Sequence, residues 1–253
     1  MKMVAWTLAA LEIKELVVAL DTTHAFKSEN SKWGIKIHIA GISPFGIPIA
    51  LKLMEDGKSH DMTTFEEMMD MILSYGIPVK FVIGDGAYDD ATFYYVAAIE
   101  ADAEGIARYN PRRSEFKNAP RESSIIEFLK KKLEEYESAK RMDKQRRGPK
   151  RKKPLSKGIV LSEHRVQGEM LRNFPLTPWS SEERTEIYKN RTLVERINSI
   201  LKLWLGLEDL KTHSEEARVF NIYSSFISLL LVSMLSIELG VPEAMLRISI
   251  WNL

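Results

Sequence analysis

ELVVALD, residues 15–21, is a short apolar run rich in β-branched residues that ends on a carboxylate, and its length favours a buried strand. Residues 33–42, WGIKIHIAGI, alternate Ile35, Ile37 and Ile39 with Lys36, His38 and Ala40, the period of a strand with one wet face. Pro44 and Gly46 make a turn, and residues 47–54, IPIALKLM, read as a third strand that Glu55-Asp56-Gly57 ends. Residues 61–75 then space Phe65, Met68, Met69, Ile72 and Leu73 on one helical face, with Asp61 as the expected N-cap and Gly76-Ile77-Pro78 as the stop. A fourth strand at 79–83 runs into Gly84-Asp85-Gly86, Asp89 is placed to cap a helix reaching Ala101, and residues 104–109 form a fifth strand. Three strands in a meander, then helix, strand, helix, strand, predict an α/β fold: a mixed five-stranded sheet with helices on its faces.

Beyond Asn110 the pattern changes. Residues 124–139 make a polar helix rich in Lys and Glu, residues 140–158 hold ten Lys or Arg against one Asp, and the tract around Phe174 to Pro178 is irregular. The chain therefore divides into a first part of the core at 1–110, an insertion with a basic loop at 111–180, and a completing part at 181–253. The basic run alone carries +9, which leaves −8 for the rest of a chain whose net charge is +1. Attraction for a polyanion must then be local, or assisted by cations and partner domains.

With no cysteine in 253 residues, disulfides, thiol nucleophiles and thiolate metal sites are excluded, so any metal must sit on oxygen or imidazole. The apolar start around Val4 to Leu11 carries no cleavage pattern, and the protein is expected to stay inside the cell. Residues 219–237 lack charge, but most of Asn221, Ser224, Ser225, Ser228, Ser233 and Ser236 fall along one side of a helix. That suits close helix packing, and no membrane span is expected.

Residues 188–202, YKNRTLVERINSILK, decide how the rest is used. Wound as a helix, they bring Tyr188, Arg191, Glu195 and Lys202 onto one arc, with Leu193, Ile197, Ile200, Leu201 and Trp204 opposite as a buried seam. A charged helix face is often only a solvated face, and Arg191 one turn from Glu195 also fits an ordinary helix ion pair. Likewise Asp21 can be a strand-end acid capping a turn, and the glycines around Asp85 can simply mark a tight loop. Together, however, Asp21, Asp85 and Glu195 offer three carboxylates from three separate elements, a donor set suited to hard cations such as Mg²⁺.

The spacing Tyr-x2-Arg-x3-Glu-x6-Lys, with Asp21 and Asp85 upstream, closely resembles the DDE transposases of prokaryotic insertion sequences, in the branch with the Tyr-Arg-Glu-Lys signature. The resemblance runs from about Leu16 to the final helix. It implies a ribonuclease-H-like fold in which Asp21, Asp85 and Glu195 are catalytic and bind two Mg²⁺ ions, Mn²⁺ substituting. It implies hydrolysis at transposon ends to expose a 3′-OH that attacks target DNA, by a homodimer on paired ends in a nucleoid-associated, cytoplasmic setting. Arg191 and Lys202 would contact phosphates of the transposon end, with Tyr188 helping to position them. The basic run, with Lys150, Arg151, Lys152 and Lys153, is a further expected DNA contact, since such residues bind the backbone without reading sequence.

His60-Asp61 after Gly57 matches another pattern of the family and is read here as a helix cap. His24 is read as a satisfied histidine. Trp179 is read as an interfacial tryptophan, although some family members stack an aromatic there on a flipped base. Only 20 residues precede Asp21, so the expectation is a domain without its N-terminal end-recognition module: a fragment, a frameshifted or internally started product, or a short version served by a separate polypeptide. Two other readings stay open: a structure-selective nuclease on the same fold, and a non-catalytic, transposase-derived DNA-binding remnant.

Overall fold

A computed structural model of the chain describes residues 2–26, 34–54, 59–110, 163–208 and 214–242. The basic run lies outside the described residues, and with it the expected contacts of Lys150, Arg151, Lys152 and Lys153. The strands are β1 (Leu16–Ala25), β2 (Ile35–Ser43), β3 (Ile47–Met54), β4 (Val79–Gly84) and β5 (Glu104–Ala107). They form one sheet in the order β3-β2-β1-β4-β5. The meander β1-β2-β3 is antiparallel, whereas β4 and β5 run parallel to β1, each reached through a helical connection. This mixed sheet flanked by helices is ribonuclease-H-like.

The helices are α1 (Lys2–Ala10), α2 (Phe65–Leu73), α3 (Ala91–Tyr95), α4 (Glu163–Asn173), α5 (Glu182–Lys189), α6 (Arg191–Leu203) and α7 (Glu215–Glu238). The strand pleat sends neighbouring residues to opposite faces, and β2 states the division plainly. Gly41 lies against Ile197 of α6 on one face, while His38 lies against Tyr88 and Thr64 on the other. A Cβ at Gly41 would come within 2.4 Å of Ile197 Cδ1. The missing side chain is what lets α6 lie close over β1 and β2.

Several local expectations are corrected. Asp21 is not at the end of its strand; β1 continues four residues beyond it to Ala25, because Thr22 to Ala25 pair with His38 to Ile35. Residues 188–202 are not one helix. Asn190 separates α5 from α6, its side-chain amide donating to Ile187 O at 2.9 Å and its carbonyl accepting from Ser43 Oγ at 2.6 Å, so the joint is pinned to the end of β2. Trp204 caps the end of α6 and is 53% exposed instead of completing the buried seam. Asp61 is not an N-cap; His60 caps a 3-10 turn at Asp61–Thr64 that leads into α2. Asp90, not Asp89, caps α3, which continues as a π-helical turn at Val96–Glu100.

α7 packs against β3 and α1, burying Ile222, Phe226, Leu229 and Leu230 together with Ser225, Ser233 and Ser236. Ser233 and Ser236 satisfy their hydroxyls by donating to the carbonyls of Leu229 and Val232. By length and composition α7 is also the one described helix that is apolar enough to cross a membrane.

α4 packs on α3 through Gly168, where a Cβ would stand 2.0 Å from Ala91 O and 2.6 Å from Ala91 C. Backbone cannot step aside as a side-chain tip can. Gly168→Ala is therefore expected to cost at least ~3 kcal/mol, the upper range for overpacking. Urea denaturation would show it as a lower midpoint with an unchanged slope.

Candidate functional site

The parallel register of β1 on β4 pairs Ala19 with Ile83, and two residues further along each chain stand Asp21 and Asp85. Adjacent strands are about 4.8 Å apart, so the two acids emerge side by side. α6 crosses the same face and brings Glu195, Asn198 and Lys202 over β1. Asp21, Thr22, Thr23, Glu195, Asn198, Ser199, Lys202 and Glu208 are among the residues lining an open cleft of about 420 Å³.

Each acid is held differently. Asp21 accepts a hydrogen bond from Asn198 Nδ2 at 2.8 Å. Burial pushes its carboxyl up to about 6; Arg191 opposes that rise, and the charge of Asp85 adds to it. Asp85 accepts from Ala87 N at 2.7 Å, and its carbonyl accepts from Tyr88 N at 3.0 Å, so it also organises the turn that follows β4. Glu195 is more exposed and pairs with Arg191 at 2.7 Å, one helical turn away.

Arg191 is the counter-ion of the whole group. Asp21, Glu195 and Asp85 all favour its charged form, and the Tyr188 hydroxyl lies beside it. Its Nε is buried without a hydrogen-bond partner. Tyr188 reaches this place from α5, across the Asn190 joint, and not from the same helix as Glu195. Lys202 lines the cleft two turns beyond Glu195.

Among the described residues no three Asp, Glu or His side chains stand close enough to enclose a metal ion as they are placed. The chemistry of the donors nevertheless fits a hard divalent cation. Asp21 and Asp85 are neighbouring carboxylates, one of them costly to ionise without a cation, and Glu195 is a third, paired with Arg191. Mg²⁺ needs few protein carboxylates, because water and phosphate complete its octahedron.

The opposite face of the sheet supports this one. Thr22, next to Asp21, donates its hydroxyl to Asp61 Oδ1 at 3.0 Å, and Asp61 pairs with Lys36. His38 sits fully buried between Thr64 Oγ1 at 2.9 Å and the Tyr88 hydroxyl at 2.7 Å, and burial holds it neutral, lowered to about 4. Tyr88 in turn packs over Gly84, where a Cβ would meet its ring at 2.6 Å. The residue before Asp85 must therefore be a glycine for β4 to end as it does.

Two contributors carry roles that the sequence reading does not assign them. Asn198 lies in the apolar stripe of α6, and a polar residue inside such a stripe is the signal that marks it. Asp89 is fully buried and grips Arg172 of α4 through two bonds of 2.7 Å, to Nε and to an NH2 group. That pair joins residues 83 apart and has no local signature.

Trp179 is held firmly. Its Nε1 donates to Arg172 O at 3.0 Å, Arg184 lies 4.1 Å above its ring, and Tyr109 meets it edge-on at 5.5 Å. With Arg108, Tyr109, Arg184, Thr185 and Tyr188, its side chain lines a second cleft of about 340 Å³.

A ribonuclease-H-like sheet with one aspartate in β1, a second just past the end of the neighbouring β4 and a helix-borne glutamate over the first is the arrangement of nucleic-acid phosphoryl-transfer domains. Residues 14–231 match the family model of the transposase DDE domain, and the chain belongs to that family. No curated protein and no solved structure matches it. Family membership makes it a transposase domain of the DDE class, one that acts on DNA; DDE transposases generally use divalent metal ions.

Proposed function

We propose that this is the catalytic domain of a transposase of the Tyr-Arg-Glu-Lys branch, in which Asp21, Asp85 and Glu195 hold Mg²⁺, with Mn²⁺ able to replace it. The reaction is hydrolysis at transposon ends followed by strand transfer into target DNA. The observation that carries this reading is that α6 brings Glu195 over Asp21 at one cleft, while the parallel register of β4 on β1 sets Asp85 beside Asp21. A pair of divalent cations, when bound, activates the attacking oxygen and stabilises the leaving one.

The protein's own groups divide the remaining work. Asp21, whose proton is lost near neutrality, and Glu195, now paired with Arg191, would be ligands of the bound ion. Arg191 would offer its guanidinium to a DNA phosphate, with the Tyr188 hydroxyl beside it. Lys202 lies too far along α6 for the same ions, at roughly 10 Å from Glu195 by helical rise, and meets a neighbouring phosphate. Residues 111–180 form an insertion whose basic run adds backbone contacts, and two such domains act on paired ends.

The test uses the full chain with linear duplexes that carry the DNA flanking its reading frame. Nicked and joined products are expected with Mg²⁺ or Mn²⁺ and none with EDTA. Asp85→Asn and Glu195→Gln should each lower the rate at least ~100-fold, since even partners of metal ligands typically cost 10–100-fold. Full activity in either variant would remove that residue from the site, and cleavage without joined products would leave only the nuclease.

A further inference from the structure

We propose that Asn198 is the positioning residue of Asp21: its amide holds one oxygen of that carboxylate and so sets how the carboxylate faces a divalent cation. The inference rests on the metal site proposed above and assigns a role to a residue outside the acidic triad.

Asn198 lies one turn past Glu195 on α6, is 6% exposed, and sits among Val194, Ile197 and Leu201 in the seam that packs on the sheet. By the helical pattern this position calls for an apolar side chain. The amide is costly there. Asn198 Nδ2 is matched to Asp21 Oδ2 at 2.8 Å, but Asn198 Oδ1 is buried without a hydrogen-bond partner. An unsatisfied buried acceptor carries a desolvation cost that an apolar side chain at this position would not. The opposite amide orientation would set Oδ1 against the carboxylate, so the N–H must face Asp21. An amide that weakens the core while serving one carboxylate is explained by what it does for that carboxylate.

Its service is geometric. Asp21 stands in mid-strand with a fixed backbone, and a bond to one oxygen restricts the rotation that remains. Because α6 carries both Glu195 and Asn198, a single helix sets the third carboxylate and the orientation of the first. The helix is itself fixed in height by Ile197 against Gly41. Hydrogen bonds to ligating carboxylates are known to tune metal sites by 10–100-fold in affinity.

The experiment measures Mn²⁺ binding to the full chain without DNA, by paramagnetic resonance titration, alongside thermal melting in EDTA. Asn198→Ala and Asn198→Leu are compared with the unaltered protein and with Asp21→Asn. Both Asn198 variants are expected to bind Mn²⁺ about tenfold more weakly. Their melting temperatures should diverge, with Leu above Ala, because Leu fills the seam and removes the orphaned acceptor whereas Ala leaves a void. Affinity that follows stability, with Leu binding as the unaltered protein does, would reduce Asn198 to a packing residue and overturn the proposal. Should the Leu variant not fold, unchanged Mn²⁺ affinity in Asn198→Ala overturns it alone. If the unaltered chain and Asp21→Asn bind Mn²⁺ alike, the metal site itself is wrong; if only Asp21→Asn loses binding, the site stands and the role of Asn198 falls.

Discussion

Asp21→Asn is expected to abolish metal-dependent DNA cleavage, by at least ~100-fold, and at the same time to raise the melting temperature of the metal-free protein at pH 7.5. The second half follows from the direction of the Asp21 shift. Burial, with a smaller contribution from Asp85, raises the carboxyl from its ordinary 3.8 to about 6 despite the opposing Arg191. The folded chain therefore binds this proton more tightly than the unfolded chain. Its favourable contribution is complete below pH 3.8 and is lost as the pH rises through 6. Above that, the ionised Asp21 weakens the fold by on the order of 3 kcal/mol.

An asparagine has no charge to bury and can still accept from Asn198. Melting in EDTA should then show the variant several degrees more stable at pH 7.5, with the advantage vanishing near pH 4. Saturating Mn²⁺ should stabilise only the unaltered protein, by mass action, and reverse the order. Its affinity should fall by about tenfold per pH unit below 6, where one proton competes for the site. A variant that melts lower at pH 7.5 in EDTA would mean that Asp21 is held by its partners, not strained by burial. Strain in the empty state, relieved by the ion, is what a carboxylate built for a cation should display.

Much of this site could be read from local pattern. β-branched runs fixed the strands, and the glycines around Asp85 fixed where β4 ends, because those signals act over a few residues. The three carboxylates stand out because each closes or interrupts an apolar run, but the family resemblance, not local pattern, marks them as a set. The exact extent of β1 was not, since Thr22 to Ala25 are strand only by pairing with β2. Nor was the break at Asn190, where the backbone stays helical and the interruption depends on a bond to Ser43, 147 residues away in sequence. A helical wheel assumes one axis, so it put Tyr188 on the helix of Glu195 and Trp204 in the seam. Tyr188 nevertheless arrives beside Arg191, because the two helices meet at that joint. Lys36, His38 and Asp61 resisted interpretation for the same reason as Arg172: their meaning lies in partners across the sheet.

The largest expected loss of stability belongs to such a partner. Arg172→Met and Asp89→Asn should each destabilise the protein by about 3–5 kcal/mol, because either change leaves the other member buried without its counterpart. Asp89 is fully buried, and besides Arg172 it accepts from Asn110 N at 2.5 Å and from the Tyr94 hydroxyl at 3.1 Å. Arg172 also donates to Glu169 and to Asn110 O, and its backbone carbonyl accepts from Trp179. One ion pair thus fastens α4, the end of β5 and the turn after β4. If the pair acts as a unit, Asp89→Asn combined with Arg172→Met should cost clearly less than the two losses added, a coupling that urea denaturation of the four proteins would measure.

The functional consequence separates this pair from the acids of the cleft. Asp89 lies four residues after Asp85, whose turn it anchors through Asn110 and the contact of the Asn110 side-chain amide with Gly86 O at 3.1 Å. Loosening that anchor should widen the positions open to Asp85 while removing no ligand. Asp89→Asn is accordingly expected to need more Mn²⁺ for half-maximal cleavage and to regain most of its rate at high Mn²⁺. Asp85→Asn should stay inactive at any concentration. Equal and irreversible loss in both would place Asp89 among the ligands; an unchanged Mn²⁺ requirement would confine it to stability alone.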